Sequence, residues 1–280
     1  MGTADADSRI LVGVDGSEDG LRAVLYAMRE ARARGGSLWL VHVVDLRSMS
    51  TGLWGLVADQ QDLERAGQAA LQDARDLLAR EDFPVERVHS EVVLGDPLLE
   101  LPRLSARARL AVMGRRAISG LERMFVGSTS VALVTNGQCP LIVISSASTP
   151  RETGRLRVVA VAVNAWPPHG SALEWGAGEA GLRQARLRVV HVLPASHRAQ
   201  AGELAATAAE LDAQLAPMRS GHPDLAIEAE VVTGNPIDEL VELSRVVDLL
   251  IVGLGPAGTP VSGLTRGLLA HASCPIGLCR

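Results

Sequence analysis

The stretch Arg9-Ile10-Leu11-Val12-Gly13-Val14-Asp15-Gly16-Ser17 is a short aliphatic run that ends on an acidic residue, a glycine and a serine. A run this short, rich in branched residues and without polar alternation, reads as a strand covered on both faces. The same unit recurs toward Ser145. Strands are predicted at Arg9–Val14, Ser37–Val44, Glu86–Val93, Leu110–Gly114 and Pro140–Ser145. Longer amphipathic stretches separate them. From Asp59 to Arg80, helical spacing puts Leu63, Leu71, Ala74, Leu77 and Leu78 on one face. Strands alternating with helices predict an α/β class with a parallel sheet.

The chain is written twice. After a polar segment from Ser145 to Arg155, with Pro150 and Gly154, further strands are predicted at Arg157–Val163, Leu187–Leu193, Ile227–Val232, Asp248–Val252 and Pro275–Cys279. Asp15 and Asn164 are 149 residues apart, as are His42 and His191. Gly95-Asp96-Pro97 and Gly234-Asn235-Pro236 are offset by 139, as are Gly114 and Gly253. Cys139-Pro140 and Cys274-Pro275 are offset by 135. The second copy is therefore 10 residues shorter between its second and third strands and 4 shorter after its fourth. Both deletions fall at carboxyl ends of strands, where an open α/β sheet places its ligands. Two domains are expected, residues 1–148 and 149–280.

Composition narrows the function classes. The chain has 280 residues and a formal charge of -5, and no basic run forms the stripe that a nucleic acid requires. All 27 basic residues are arginines, which excludes a P-loop lysine, a Schiff-base lysine and a pyridoxal anchor. No apolar stretch approaches the roughly 18 residues of a membrane span. The polar, acidic Met1–Arg9 lacks a secretory pattern. Cys139, Cys274 and Cys279 have no metal-ligand spacing, and a cytoplasmic protein with reduced thiols is expected.

Three segments converge on the strand ends: Asp15, the run His42-Val43-Val44, and Met113-Gly114-Arg115-Arg116-Ala117 followed, after nine intervening residues from Ile118 to Val126, by Gly127-Ser128-Thr129. Here the chain resembles the universal stress protein family, whose nucleotide signature is glycine, two residues, glycine, nine residues, glycine, then serine or threonine. Gly114, Gly127 and Ser128 match in register, and Ala117 stands where the second glycine is expected. The resemblance covers nearly the whole chain, twice. It implies two repeats of a five-stranded parallel open sheet with helices on both faces, Rossmann-like and similar to adenine nucleotide alpha hydrolases. It further implies ATP, with or without Mg2+, held by Asp15, Val43, Met113, Gly114, Arg115, Arg116, Ala117, Gly127, Ser128 and Thr129. Family members pair domains through their fifth strands, so the two copies are expected to form a pseudo-dimer within one chain, and a homodimer stays open.

The chemistry suits these assignments. Glycines let backbone amides approach phosphate oxygens, and the free amides at a helix start attract anions. Asp15 can accept from ribose hydroxyls, and the amide and carbonyl of Val43 can read an adenine edge. If position 117 needs a left-handed backbone, Ala117 costs roughly 1–2 kcal/mol, about tenfold in affinity. Arg115 and Arg116 can offset this by pairing with phosphate.

The second copy carries Asn164 for the aspartate, Pro256 for the second glycine, Ser262-Gly263 in place of Gly-Ser, and Pro167 and Pro168 after its first strand. No nucleotide is expected there. Each residue also has a structural reading: Asp15 as a helix cap, Gly127 and Ser128 as a bare helix start, Arg115 and Arg116 as solvated charges, Val43 as core. His42 and His191 read as buried structural residues, and Cys139 and Cys274 as small buried hydrophobes, with Cys279 near the surface.

Gly253-Leu-Gly255-Pro-Ala-Gly258 fits a dinucleotide fingerprint, but Pro256 and Pro260 obstruct the helix it should open and no acidic residue follows Asp248. There is no Gly-x-Ser-x-Gly elbow or His-Glu-x-x-His site. The expectation is a nucleotide-responsive regulatory module that turns ATP over slowly at most. A scaffold of the same fold that binds nothing, and a slow ATPase, are the alternatives.

Overall fold

The aliphatic run Arg9–Gly13 forms β1, and its Ile10, Leu11 and Val12 are fully buried, which only a strand flanked on both edges and covered on both faces can achieve. In the computed structural model the described residues are 8–45, 60–115, 128–148, 157–163, 170–194 and 201–280. The chain divides into two compact units, Met1–Ser146 and Ala147–Arg280.

In the first unit, β1 is followed by α1 (Glu18–Arg34), β2 (Ser37–Val44), α2 (Gln60–Arg80), β3 (Val88–Leu94), α3 (Pro97–Ser105), β4 (Leu110–Gly114), α4 (Ser128–Asn136) and β5 (Leu141–Ile144). The strands run parallel in the order β3-β2-β1-β4-β5. Right-handed crossovers place α1 and α2 on one face and α3 and α4 on the other, and the members of each pair touch. The second unit repeats this with β6 (Val158–Val163), α5 (Ser171–Arg183), β7 (Arg186–Pro194), α6 (Ala201–Gln214), α7 (Ala216–Gly221), β8 (Ile227–Gly234), α8 (Pro236–Ser244), β9 (Leu249–Gly253), α9 (Gly263–His271) and β10 (Ile276–Cys279). Its order is β8-β7-β6-β9-β10, again all parallel. Among the described residues no helix is long and apolar enough to cross a membrane.

The repeated motifs turn out to be local caps. Asp96 accepts from the Leu98 N–H at 2.9 Å and Asn235 accepts from the Ile237 N–H at 2.9 Å, each with proline at the first helical position. Gly-Asp-Pro and Gly-Asn-Pro are thus starts of α3 and α8. A second device is shared: buried Ser105 and Ser244 each bond a carbonyl of their own helix and accept an N–H from the loop before the last strand, Gln138 and Ser273 respectively, at 2.9 Å.

Some expectations shift. Residues Val85–Arg87, where the third strand was expected to start at Glu86, form a 3-10 turn instead. Pro84 precedes it, and the Arg87 side chain bonds back to Gly36, so pairing begins only at Val88. On α2 the buried face runs through Gly67, Ala70, Leu71, Ala74 and Leu78, while Leu63 and Leu77 are half-buried. The small residues are buried because α2 lies close to β2 and β3. Cys274 is buried as expected, whereas Cys139 is partly exposed, and Cys279, expected near the surface, is buried because it ends β10. Burial pushes the Cys139 thiol up to about 12, against a lowering hydrogen bond with the Ala111 backbone.

Gly114 shows what the end of β4 demands. A Cβ there would lie 2.5 Å from the Asp19 carbonyl carbon and 2.6 Å from the Gly20 nitrogen, so the start of α1 rests directly on the strand end. The counterpart Gly253 has room: its Cβ would meet Ala172 Cβ at 3.6 Å. Gly114→Ala is therefore expected to destabilise by about 1–3 kcal/mol, and Gly253→Ala by no more than about 0.5 kcal/mol, as read by denaturant unfolding; equal effects would refute this packing account. The thiolate is the reactive form of cysteine, so native Cys139 should alkylate about a thousandfold more slowly at pH 8 than the same thiol in urea. Mass spectrometry after timed iodoacetamide treatment checks this.

Candidate functional site

The strand order reverses direction between β1 and β4, and the carboxyl ends of β1, β2 and β4 open there into a cavity of about 510 Å3. Asp15, Val43, Met113, Gly114 and Thr129 line it, together with Val41, His42, Asp45, Pro97, Leu98, Leu101, Leu63, Ala66 and Ser130. Five expected residues therefore share one wall system. Arg115 does not line it: its side chain is buried, and its N–H donates to Ile144 O at 2.6 Å, prolonging the β4–β5 ladder. Arg116, Ala117 and Gly127 lie outside the described residues, and Ser128 is described only as the first residue of α4.

Asp15 is exposed at the turn where Gly16 takes φ 76. Its Oδ1 accepts from the Ser17 N–H at 3.0 Å and from the Ser17 hydroxyl at 2.5 Å, and Ser17 Oγ in turn caps α1 by accepting from the Gly20 N–H at 3.0 Å. The carboxylate thus orients the capping serine while facing the cavity. The local reason is an Asx-type turn, which aspartate favours two residues before its partner amide.

Val43 owes its position to register. The Val41 carbonyl accepts from the Val14 N–H at 2.9 Å, on the β1 side, and the Val44 carbonyl accepts from the Gly95 N–H at 3.1 Å, on the β3 side. Backbone groups alternate sides along a strand, so the N–H and C=O of Val43 turn toward the space that β1 leaves after Val14. His42 lies beside them. Its Nδ1 donates to Val14 O at 2.8 Å, and the ring is held against α2, where a Cβ on Gly67 would come within 2.5 Å of it. His191 makes the same bond to Val163 O at 2.9 Å. Each histidine ties the second strand of its unit to the first, and His42 also forms part of the cavity wall.

The apolar lining from α2 and α3 went unread in the sequence. Its signal was Gly95-Asp96-Pro97, which starts α3 and so delivers Leu98 and Leu101 to the site. Among the described residues no three His, Cys, Asp or Glu side chains come together to hold a metal.

The second unit differs at the helix that follows the fourth strand. Ser262 is the N-cap of α9 and its Oγ accepts from the Thr265 N–H at 3.1 Å. Counted back from Cys139 and Cys274, Ser262 stands where the first copy has Gly127. A side-chain oxygen thus occupies an amide that an anion would need. After Gly253, the Thr259 N–H and hydroxyl both donate to Pro256 O, closing a turn rather than opening a helix, so the dinucleotide fingerprint lacks its structural context. Asn164, Pro167 and Pro168 lie outside the described residues.

Comparison with known proteins accords with the doubled architecture. Residues 8–145 and 156–280 each match the model of the universal stress protein family. Universal stress protein Rv2028c of Mycobacterium tuberculosis is 28% identical over 243 residues, spanning 87% of this chain and 84% of its own length. Universal stress protein Rv2005c of the same organism is 27% identical over 279 residues, 94% of this chain and 91% of its own. A solved universal stress protein from Archaeoglobus fulgidus shares the fold, with a TM-score of 0.73 over 98% of both chains at 15% identity. With the family's pattern met once in each compact unit, the chain belongs to the universal stress protein family, carrying two copies in tandem.

Proposed function

We propose that the first unit binds ATP in the cavity at the carboxyl ends of β1, β2 and β4, that the second unit binds none, and that occupancy of the single site makes the protein a nucleotide-responsive regulatory module. The observation that carries this reading is the convergence of Asp15, the Val43 backbone, Gly114 and the start of α4 on one cavity. Its 510 Å3 falls within the roughly 300–1,000 Å3 of small-molecule sites.

The charges give the nucleotide a direction. Asp15 and Asp45 sit on the wall, so a triphosphate is repelled from that end while ribose hydroxyls can donate to it. The phosphates belong beside the amides that open α4, where a helix start favours anions. Adenine then lies toward Val43, against Leu63, Leu98 and Leu101.

The scaffold reading draws on two other observations: Asp15 already serves the cap of α1, and Gly114 is needed for packing whether or not a ligand is present. Calorimetric titration of Mg·ATP separates the two. One nucleotide per chain is expected, weakened about tenfold to a hundredfold in Asp15→Asn, which keeps the turn and removes the charge. No heat at millimolar ATP would establish the scaffold reading, and two sites per chain would refute the assignment of the second unit. Ala117→Gly, which restores the signature glycine, is expected to tighten binding by up to about tenfold; an unchanged affinity would show that position 117 needs no left-handed backbone. Rapid Mg-dependent phosphate release, lost in Asp15→Asn, would instead identify an ATPase.

A further inference from the structure

A second cavity, of about 770 Å3, lies wholly within the second unit at the amino ends of β7 and β8. The first unit shows what belongs in it. There the Arg87 guanidinium lies over the Phe83 ring at 5.2 Å, donates through Nε to Gly36 O at 2.8 Å, and donates through Nη2 to Ala31 O at 2.9 Å. A planar cation is thus sandwiched between an aromatic face and two carbonyls at the end of α1.

The repeat offsets carry every part of this arrangement into the second unit. Ala31 and Gly36 correspond to Ala180 and Ala185, 149 residues on. The left-handed C-caps agree, Gly35 at φ 64 and Gln184 at φ 51, and Gly36 and Ala185 each donate to the matching carbonyl, Ala31 O and Ala180 O, at 2.9 Å. Phe83 and Arg87 correspond, 139 residues on, to His222 and Ala226. The backbone socket is therefore kept, a flat ring remains on one side, and the arginine that fills it has become an exposed alanine.

We propose that this socket binds a small guanidinium compound, seated where Arg87 sits in the first unit. The cation would donate to the carbonyls of Ala180 and Ala185 and stack on the His222 ring. The carboxyl end of α5 favours positive charge there. Asp224 adds a carboxylate at the rim, and Arg186, which also lines the cavity, is neutralised by its 2.9 Å ion pair with Glu228. This site is independent of the nucleotide cavity, which lies in the other unit.

Agmatine, a guanidinium on a short alkyl chain, is the probe, titrated into the full-length protein and followed by calorimetry and by the His222 ring protons in NMR. Saturable binding of one agmatine per chain is expected, with a Kd on the order of millimolar. Ala226→Arg, which restores the plug at an exposed position, should weaken it at least about tenfold, and so should replacing agmatine by 4-aminobutylurea, which keeps the terminal ammonium and exchanges the guanidinium for a neutral urea. No saturable shift at His222, undiminished binding in Ala226→Arg, or equal binding of 4-aminobutylurea would each overturn the proposal.

Discussion

Each unit is built on strands that all point the same way, and the parallel ladder is the constraint from which the remaining features follow. A parallel sheet needs cover on both faces, so its strands become uninterrupted aliphatic runs such as Ile10–Val12 and Leu249–Val252. It also needs a helix between successive strands, so every carboxyl end emerges at one edge. Polar turn residues, helix starts and unpaired strand backbone gather there without any ligand having to organise them. The cavity of the first unit, lined by Asp15, Val43 and Gly114, occupies this edge, and the shortened loops of the second unit belong to the same edge.

The two copies act as controls for each other. Features present in both, such as the histidine bonded to the first strand, the Asp96 and Asn235 caps and the buried Ser105 and Ser244, serve the fold, because they occur with and without a retained loop. Features that differ point to function. Gly127 has become a capping serine, Asp15 has become Asn164, and the Phe83–Arg87 plug has become His222 and Ala226. A duplicated fold keeps its packing under joint constraint while each copy's surface sockets are free to diverge. One copy has its cavity at the carboxyl ends of its strands, while the other has one at the amino ends of β7 and β8.

The strands, their order of appearance and the doubling were legible in the sequence, because they depend on local periodicity and on spacing between short motifs. The residues Asp15, Val43, Gly114 and Thr129 could be named from the resemblance to the family's motifs, and the structure brings them together on one cavity. Other features depended on contacts between distant segments. The role of Gly114 against the backbone of Asp19 and Gly20, the ring of His42 clamped by Gly67, and the Arg87 bonds to residues 51 and 56 positions earlier are invisible to periodicity. So was the direction in which Val43 turns its amide and carbonyl, because that follows from where β1 ends in the ladder.

By itself, then, the sequence determined the α/β class, the two copies and the family they belong to, since apolar period, turn chemistry and motif register are properties of neighbouring residues. Tertiary structure alone decided which residues wall the cavity, why Cys279 is buried, and where the second unit lacks its arginine plug. The physical reason is that burial and close approach depend on which helix crosses which strand, and a crossing joins residues that the linear pattern keeps apart.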